Sequence, residues 1–126
     1  MHKSKLGGFI IDCRTDDLGA AAHFWGSALG MPIRELPGTE GEFYQRLEDR
    51  QHGLDIEVQK VDHPSRVHLD IEADDIEAEV RRLEALGAKR VQAVQTWVVM
   101  EAPTGQRFCV VRASSHDFER RASVWP

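Results

Sequence analysis

The sequence predicts an α+β fold made of two β-α-β-β-β modules in one chain, and three observations carry the prediction. The first is internal repetition. Ile11–Ala20, running into a helix-like stretch that ends at Leu29 and Gly30, returns 58 residues later as Leu69–Ala78, with a stretch ending at Leu86 and Gly87. Asp12, Asp16, Asp17 and Ala20 recur as Asp70, Asp74, Asp75 and Ala78. The second is that the halves close alike, Gly53–Val58 against Gly105–Val110. The third is that hydrophobic spacing switches from alternation to a helical period and back within each half. One small unit buries a core less well than a packed pair, so the copies should assemble face to face or edge to edge, with function in the space between.

In the first half (6–61), Gly8–Arg14 alternates and is rich in β-formers, as a strand is. Asp16 and Asp17 offer an N-cap oxygen to the helix that follows. Leu18, Ala21, Ala22, Trp25, Ala28 and Leu29 then fall on one helical face. Gly30 supplies the positive φ of a C-cap, and Pro32 prevents continuation. Met31–Leu36 and Glu42–Glu48 read as strands around the turn at 37–41. Arg50–Gly53 is another turn, before a strand at Leu54–Val61.

The second half (65–112) repeats that order. Val67–Glu72 is a strand, and Asp74 with Glu77 has the spacing of a capping box. Ile76, Val80, Leu83 and Leu86 form an apolar helical stripe. Glu77 with Arg81 and Glu79 with Arg82 are spaced to pair on its wet side. Val91–Val94, Thr96–Glu101 and Arg107–Arg112 are three more strands, with a hairpin turn at Ala102–Gly105. A ferredoxin-like β-α-β-β-α-β arrangement is the competing order; three strands between the helices, not two, argue against it. The tail 113–126 has no counterpart in the first half. Its chemistry leaves two readings open, a mobile end or a docked arm, with Trp125 favouring docking.

A chain of 126 residues with 41% hydrophobic and 29% charged residues fits a single soluble domain spanning 1–126. The net charge of −5 argues against nonspecific nucleic-acid binding, which needs a basic face. No apolar run approaches a membrane span, and Leu6–Ile11 is too short for a secretory core, so a cytoplasmic location is expected. Cys13 and Cys109 sit in strand-like runs without a CxxC pattern and are expected to be reduced thiols.

Alternation divides each strand into two faces. Phe9, Ile11 and Cys13 oppose Ile10, Asp12 and Arg14, and Val67, Leu69 and Ile71 oppose His68, Asp70 and Glu72. Leu54, Ile56 and Val58 oppose Asp55, Glu57 and Gln59; Phe108 and Val110 oppose Arg107, Cys109 and Val111. The apolar set is expected to cover the helices. The other set is rich in groups that bind protons, metals or polar ligands. On an ordinary antiparallel sheet such a face meets water, whereas duplicated sheets can curl theirs around a common cleft.

Several runs carry a resemblance to a known superfamily. They are the strand-to-helix passages 16–18 and 74–76, the helix ends 29–31 and 86–88, the strand 67–70, and the closing run WVVMEAPTGQRFCV from Trp97 to Val110. Together they resemble the vicinal oxygen chelate superfamily of glyoxalase I, bleomycin-resistance proteins and extradiol dioxygenases. The closing run is similar to the W-V-M-x-D-P-x-G-N-x-F-C-V ending of its glyoxalase-like subgroup, with Ala102 in place of Asp and Gln106 in place of Asn. The resemblance covers about Leu6 to Arg112. It implies a U-shaped, cupped mixed sheet with helices outside, and metal ligands at four equivalent places, here Ile10, Glu57, His68 and Cys109. Ile10 cannot coordinate a metal, and Cys109 stands where a glyoxalase-type site has Glu. No firmly bound cofactor is therefore expected; if a divalent metal binds, Glu57, His68 and Cys109 are its ligands, as an open three-ligand zinc site.

The candidate catalytic residues are His68 and Glu57, with Asp12, Arg14, Asp70, Glu72, Trp97 and Arg107 as candidate ligand-binding residues. His68 beside Asp70 suits a general base or a substrate anchor, and equally a structural strand histidine. Arg14 and Arg107 suit an anionic group. Trp97 and Tyr44, at corresponding places in the two halves, suit either core packing or stacking. Three functions follow. One is a glyoxalase-like enzyme moving a proton on a small polar metabolite without a firmly bound metal. Another is a sequestering protein of the bleomycin-resistance type, whose acidic cleft suits a cationic guest. The last is a metal-dependent lyase, isomerase or dioxygenase. The resemblance also implies a homodimer; the acidic net charge and the lack of a long apolar run argue against a nucleic-acid or membrane partner.

Overall fold

The computed structural model describes residues 1–126, in two compact units: Gly8–Val67, and Met1–Gly7 together with His68–Pro126. The class is α+β, with each half of the chain running β-α-β-β-β in sequence.

The unit Gly8–Val67 holds most of β1 (His2–Arg14), then α1 (Leu18–Leu29), β2 (Ile33–Glu35), β3 (Tyr44–Glu48) and β4 (Asp55–Val61). β4 lies parallel to β1, β3 antiparallel to β4, and β2 antiparallel to β3. Asp17 caps α1 by accepting from the Ala20 amide, and Gly30 ends it in the left-handed region at φ 68°. The predicted turn at 37–41 is a 3-10 turn, Gly38–Glu42. Ile11, Leu18, Ala22, Leu47, Ile56 and Val58 form the core, with Phe9, Cys13 and Trp25 against it. Strand alternation assigns Phe9, Ile11, Cys13, Ile56 and Val58 of these residues to the apolar face.

The other unit contains β5 (Arg66–Ala73) from His68 onward, α2 (Ile76–Ala85), β6 (Lys89–Val94), β7 (Trp97–Glu101) and β8 (Arg107–Arg112). β5 and β8 are parallel, with β7 and β6 following antiparallel. Ala73, Val80, Leu83, Val98, Met100, Phe108 and Val110 make its core.

Four local expectations need correction. The cap of α2 is Asp75, which accepts from the Ala78 amide, while Asp74 accepts from the backbone amide of Lys3. Glu79 pairs with Arg82 as expected, but it is fully buried, not on a wet face. Glu77 pairs with Arg90. Leu86, Val67 and Leu69 are half or more exposed.

The exposure of Val67 has a register cause. The repeat equates Phe9 and Ile10 with Val67 and His68, and Glu57 with Cys109. In the first module Ile10 stands opposite Glu57; in the second, Asp70, not His68, stands opposite Cys109. The second ladder has slipped by two residues. A slip of two keeps every side chain on its own face. The pairing with β8 begins at Leu69, so Val67, which is 58% exposed, lies outside it.

The tail is docked. Ala113 donates to the Ala73 carbonyl, Phe118 in the short α3 (Phe118–Arg121) is buried, and β9 (Ser123–Trp125) pairs antiparallel with His2–Ser4 of β1. That pairing explains why β1 starts six residues earlier than Gly8, the start read from the sequence. A buried ring of polar groups fastens it. Glu79 takes two hydrogen bonds from Arg82 at 2.9 and 2.8 Å and lies 2.7 Å from His2 Nε2. Arg82 lies 3.8 Å over the Trp125 ring, whose Nε1–H donates to Ser4 Oγ at 2.8 Å.

Candidate functional site

Three groupings of polar side chains carry chemistry. The first is on β4, where alternation puts Asp55, Glu57 and Gln59 on one face. Across the ladder to β3 they face Glu48, Arg46 and Tyr44. Arg46 does not close on Glu57 opposite; it reaches Asp55, Nε and Nη2 lying 3.1 and 2.9 Å from Oδ1. Burial, with the charge and hydrogen bond of Asp55, pushes the Glu57 carboxyl up to about 8, against the opposing pull of Arg46. Glu57 therefore carries its proton into the neutral range.

The second is on β5 and β8. The ligand atoms of His68, Asp70 and Cys109 lie within 4.8 Å of one another. His68 Nε2 stands 3.6 Å from Asp70 Oδ1, with side chains 13% and 17% exposed. The two-residue slip is what sets Asp70 directly beside Cys109. Imidazole, carboxylate and thiol together are a borderline-soft set that suits zinc better than magnesium or calcium, and three donors leave a position open. These residues fit a divalent ion by donor chemistry and spacing. Glu57, named with His68 and Cys109 from the sequence, belongs to the other unit; Asp70 takes that place in the cluster.

The third is an open cavity of about 700 Å³ in the unit Gly8–Val67, at the carboxyl ends of β1 and β4. Arg14, Lys60 and His63 bring positive or titratable nitrogen to it, Asp16 and Asp62 bring carboxylates, and Phe43, half exposed, offers a ring face. Gln59, held by the Tyr44 hydroxyl at 2.9 Å, lines it on the face that also carries Glu57.

The remaining candidates are dispersed. Asp12 is buried, 3.5 Å from Arg66 Nε and 4.0 Å from His63. Glu72 is buried and accepts from Ser115 Oγ at 2.7 Å, which ties it to the tail. Arg107 pairs with Glu101 at 3.2 Å, and Trp97 is half-buried at the start of β7. Neither cysteine is in a disulfide. Asp55, Arg46 and Lys60 were not singled out from the sequence. Strand alternation already placed Asp55 beside Glu57, but the diagonal reach of Arg46 had no sequence signal.

A glyoxalase-like domain model matches residues 8–111. The chain belongs to the glyoxalase-like domain family. No curated protein matches it in sequence. Solved structures similar to this glyoxalase-like chain include the methylmalonyl-CoA epimerase of Mycobacterium tuberculosis, at 15% identity, covering 86% of this chain and 87% of that one, TM-score 0.64. A hypothetical protein from Bacillus halodurans C-125 is similar at 12% identity over 88% and 95% of the two chains, TM-score 0.64. A glyoxalase/bleomycin resistance protein/dioxygenase superfamily member from Vibrio splendidus 12B01 is similar at 18% identity over 81% and 96%, TM-score 0.51. At such identities the likeness establishes a shared fold, which hosts many chemistries.

Proposed function

We propose that this glyoxalase-like protein is an enzyme that moves a proton on a small polar metabolite, with Glu57 as the acid–base group. The observation that carries the reading is a carboxyl on β4 that titrates near neutrality, at about 8, and so can both give and take a proton at working pH. The cavity of the same unit supports it, though Glu57 does not line it: Gln59, two residues along β4, does, Arg14 and Lys60 suit an anionic end of the metabolite, and Phe43 suits a flat or apolar part. Proton exchange at a carbon beside a carbonyl is a reaction class that needs such a group, together with a donor or cation for the enolate oxygen that forms. The epimerase neighbour named above acts in that class by name, which agrees with the reading without carrying it.

The test is solvent exchange. A panel of small carbonyl acids and thioesters in deuterated buffer, followed by proton NMR, should include at least one whose α-hydrogen the protein exchanges. Glu57→Gln should slow that exchange at least about 100-fold with the fold intact. Full exchange by the Gln variant sinks the assignment.

The cluster of His68, Asp70 and Cys109 favours a second reading, in which a divalent ion assists. Bound there, an ion would polarise a substrate oxygen as a Lewis acid. His68 and Asp70 would hold it from β5 and Cys109 from β8. Cobalt(II) titration reads this without any substrate: a thiolate-to-cobalt absorption should appear and be lost in Cys109→Ser. Absence of the band, with under about a tenth of an equivalent of zinc in untagged protein, ends this reading.

The homodimer expected from the family resemblance is kept as part of the proposal. The exposed apolar side chains of Val67 and Leu69 support it, since such groups are costly to leave in water.

A further inference from the structure

We propose that the cavity of the unit Gly8–Val67 takes a zwitterion, with its anionic group at Arg14 and Lys60, its cationic group at Asp16 and Asp62, and an apolar part on Phe43. This class of ligand rests on the reading of that cavity as the metabolite's site.

The lining carries its charges in a fixed order. β1 and β4 run parallel, with Cys13 opposite Lys60 and Arg14 opposite Val61, so the two cations stand at adjacent positions on the paired strand ends. Each is followed two residues on by a carboxylate, Asp16 after Arg14 and Asp62 after Lys60. Both carboxylates lie just past the last residue of their strand. Because the strands point the same way, positive charge sits at the strand ends and negative charge on the connections that leave them. None of the four side chains is in a salt bridge. The charges beside them are already matched. Arg66 Nε lies 3.5 Å from Asp12 Oδ2, and Asp17 accepts from the Ala20 amide. His63 has the Pro64 carbonyl oxygen 2.9 Å from Nδ1 and Asp12 4.0 Å from Nε2.

Two cations and two carboxylates thus face the hollow with no partner of their own. A dianion there meets repulsion from Asp16 and Asp62, and a dication meets it from Arg14 and Lys60. A ligand of both signs is attracted by all four. The segments that carry these groups are tied down in advance. The Arg14 amide donates to Ser65 Oγ at 3.0 Å, which fastens the connection after β4 to the end of β1. The Asp17 amide donates to Thr15 Oγ1 at 3.0 Å, and the Lys60 amide to the Phe43 carbonyl at 2.8 Å. Little ordering is then left for binding to bring about. Phe43 is 50% exposed, apolar surface that a flat or aliphatic part of the ligand would cover. A volume of about 700 Å³ is ample for one small molecule.

The experiment is a backbone-amide NMR titration of the full chain with probes matched in shape. Phenylalanine and para-aminomethylbenzoate carry both charges. Phenylpropionate and para-toluate lack the ammonium, and phenethylamine and benzylamine lack the carboxylate. At least one zwitterion should shift the amides of Arg14, Thr15, Phe43, Lys60 and Asp62 saturably. Both of its single-charge analogues should bind at least about threefold more weakly, the modest factor expected of solvent-exposed charges. Asp16→Asn and Asp62→Asn should bring the zwitterion down to its ammonium-free analogue without weakening that analogue. Arg14→Gln and Lys60→Gln should bring it down to the carboxylate-free one. All four side chains are exposed or half-buried, so the variants should keep native amide spectra. An ammonium-free analogue that binds as tightly as its zwitterion, unmoved by either Asp variant, overturns the proposal in favour of an anion site. A carboxylate-free analogue that binds as tightly overturns it in favour of a cation site. Shifts by none of the probes overturn it too and leave four solvated charges around an open hollow. A zwitterion bound without exchange of any α-hydrogen refutes the proposed reaction and leaves the ligand class standing. Exchange on simple carbonyl acids with no zwitterion bound does the reverse.

Discussion

At Glu57 the folded chain keeps a proton that the unfolded chain would release. An ordinary glutamate titrates at 4.5, and the folded one at about 8. Between those values the native state binds more protons than the unfolded state, so stability is fully present below about 4.5 and falls as pH rises through about 8. Urea unfolding of the native protein should therefore show a lower midpoint at pH 8.5 than at pH 5. Glu57→Gln, which needs no proton, should flatten that profile and be the more stable protein at pH 8.5, by on the order of 2 kcal/mol. Glu79 shows the opposite sign on the same chain. Burial works to raise it, but hydrogen bonds from Arg82, His2 and Ser4 outweigh burial and hold its carboxyl below the usual range. Its contribution is present above the unfolded value and lost as pH falls through the folded one. Two carboxyls, both shielded from water, thus pull the pH profile in opposite directions because Arg82 bonds directly to Glu79, whereas Arg46 bonds to Asp55 and acts on Glu57 only at a distance.

Among the elements, β9 depends on contacts supplied by residues far from it in sequence. Its three residues gain their place from His2–Ser4 on one edge and from Arg82 on α2 below the Trp125 ring. Glu79→Ala would leave Arg82 and His2 without their shared acceptor, and a loss of about 2 kcal/mol in global stability is expected. Trp125→Ala should cost less globally and should instead speed amide exchange at Ser123 and Val124, measured by hydrogen–deuterium exchange. Unchanged exchange there would mean that strand pairing alone holds the tail. β1 offers a harsher test. Gly8→Ala drives a methyl into the Asp55 carbonyl, backbone against backbone, and a cost of about 3 kcal/mol or failure to fold is expected by thermal denaturation.

Across the whole molecule, the duplicated sequence builds two modules that are alike in order but not in chemistry. One carries a buried carboxyl raised to about 8 and an open cavity; the other carries an imidazole, a carboxylate and a thiol within 4.8 Å. The modules differ because equivalent positions carry different residues, Ile10 against His68 and Glu57 against Cys109, and because the slipped ladder sets Asp70 beside Cys109. The dimer expected for the whole chain has a direct check. Light scattering should give twice the chain mass of 14.2 kDa, and Leu69→Lys should lower it toward one chain. A single-chain mass for the native protein rejects the assembly.

The sequence by itself determined the fold class, the order of elements and the division of each strand into apolar and polar faces, because these depend on spacing along the chain. The caps at Asp17 and Gly30, the hairpin at Ala102–Gly105 and the core residues of β1, β4 and β8 were legible for that reason. The sequence also named Glu57, His68, Asp70 and Cys109 as residues of one polar face. What it could not supply was register and reach. Which residue of β5 stands beside Cys109, where the Arg46 guanidinium goes, and what holds the tail are decided by distances between segments far apart in the chain. A shift of two residues leaves the alternation pattern untouched, so no reading of one strand at a time detects it; the paired backbones settle it, and with it which donors meet.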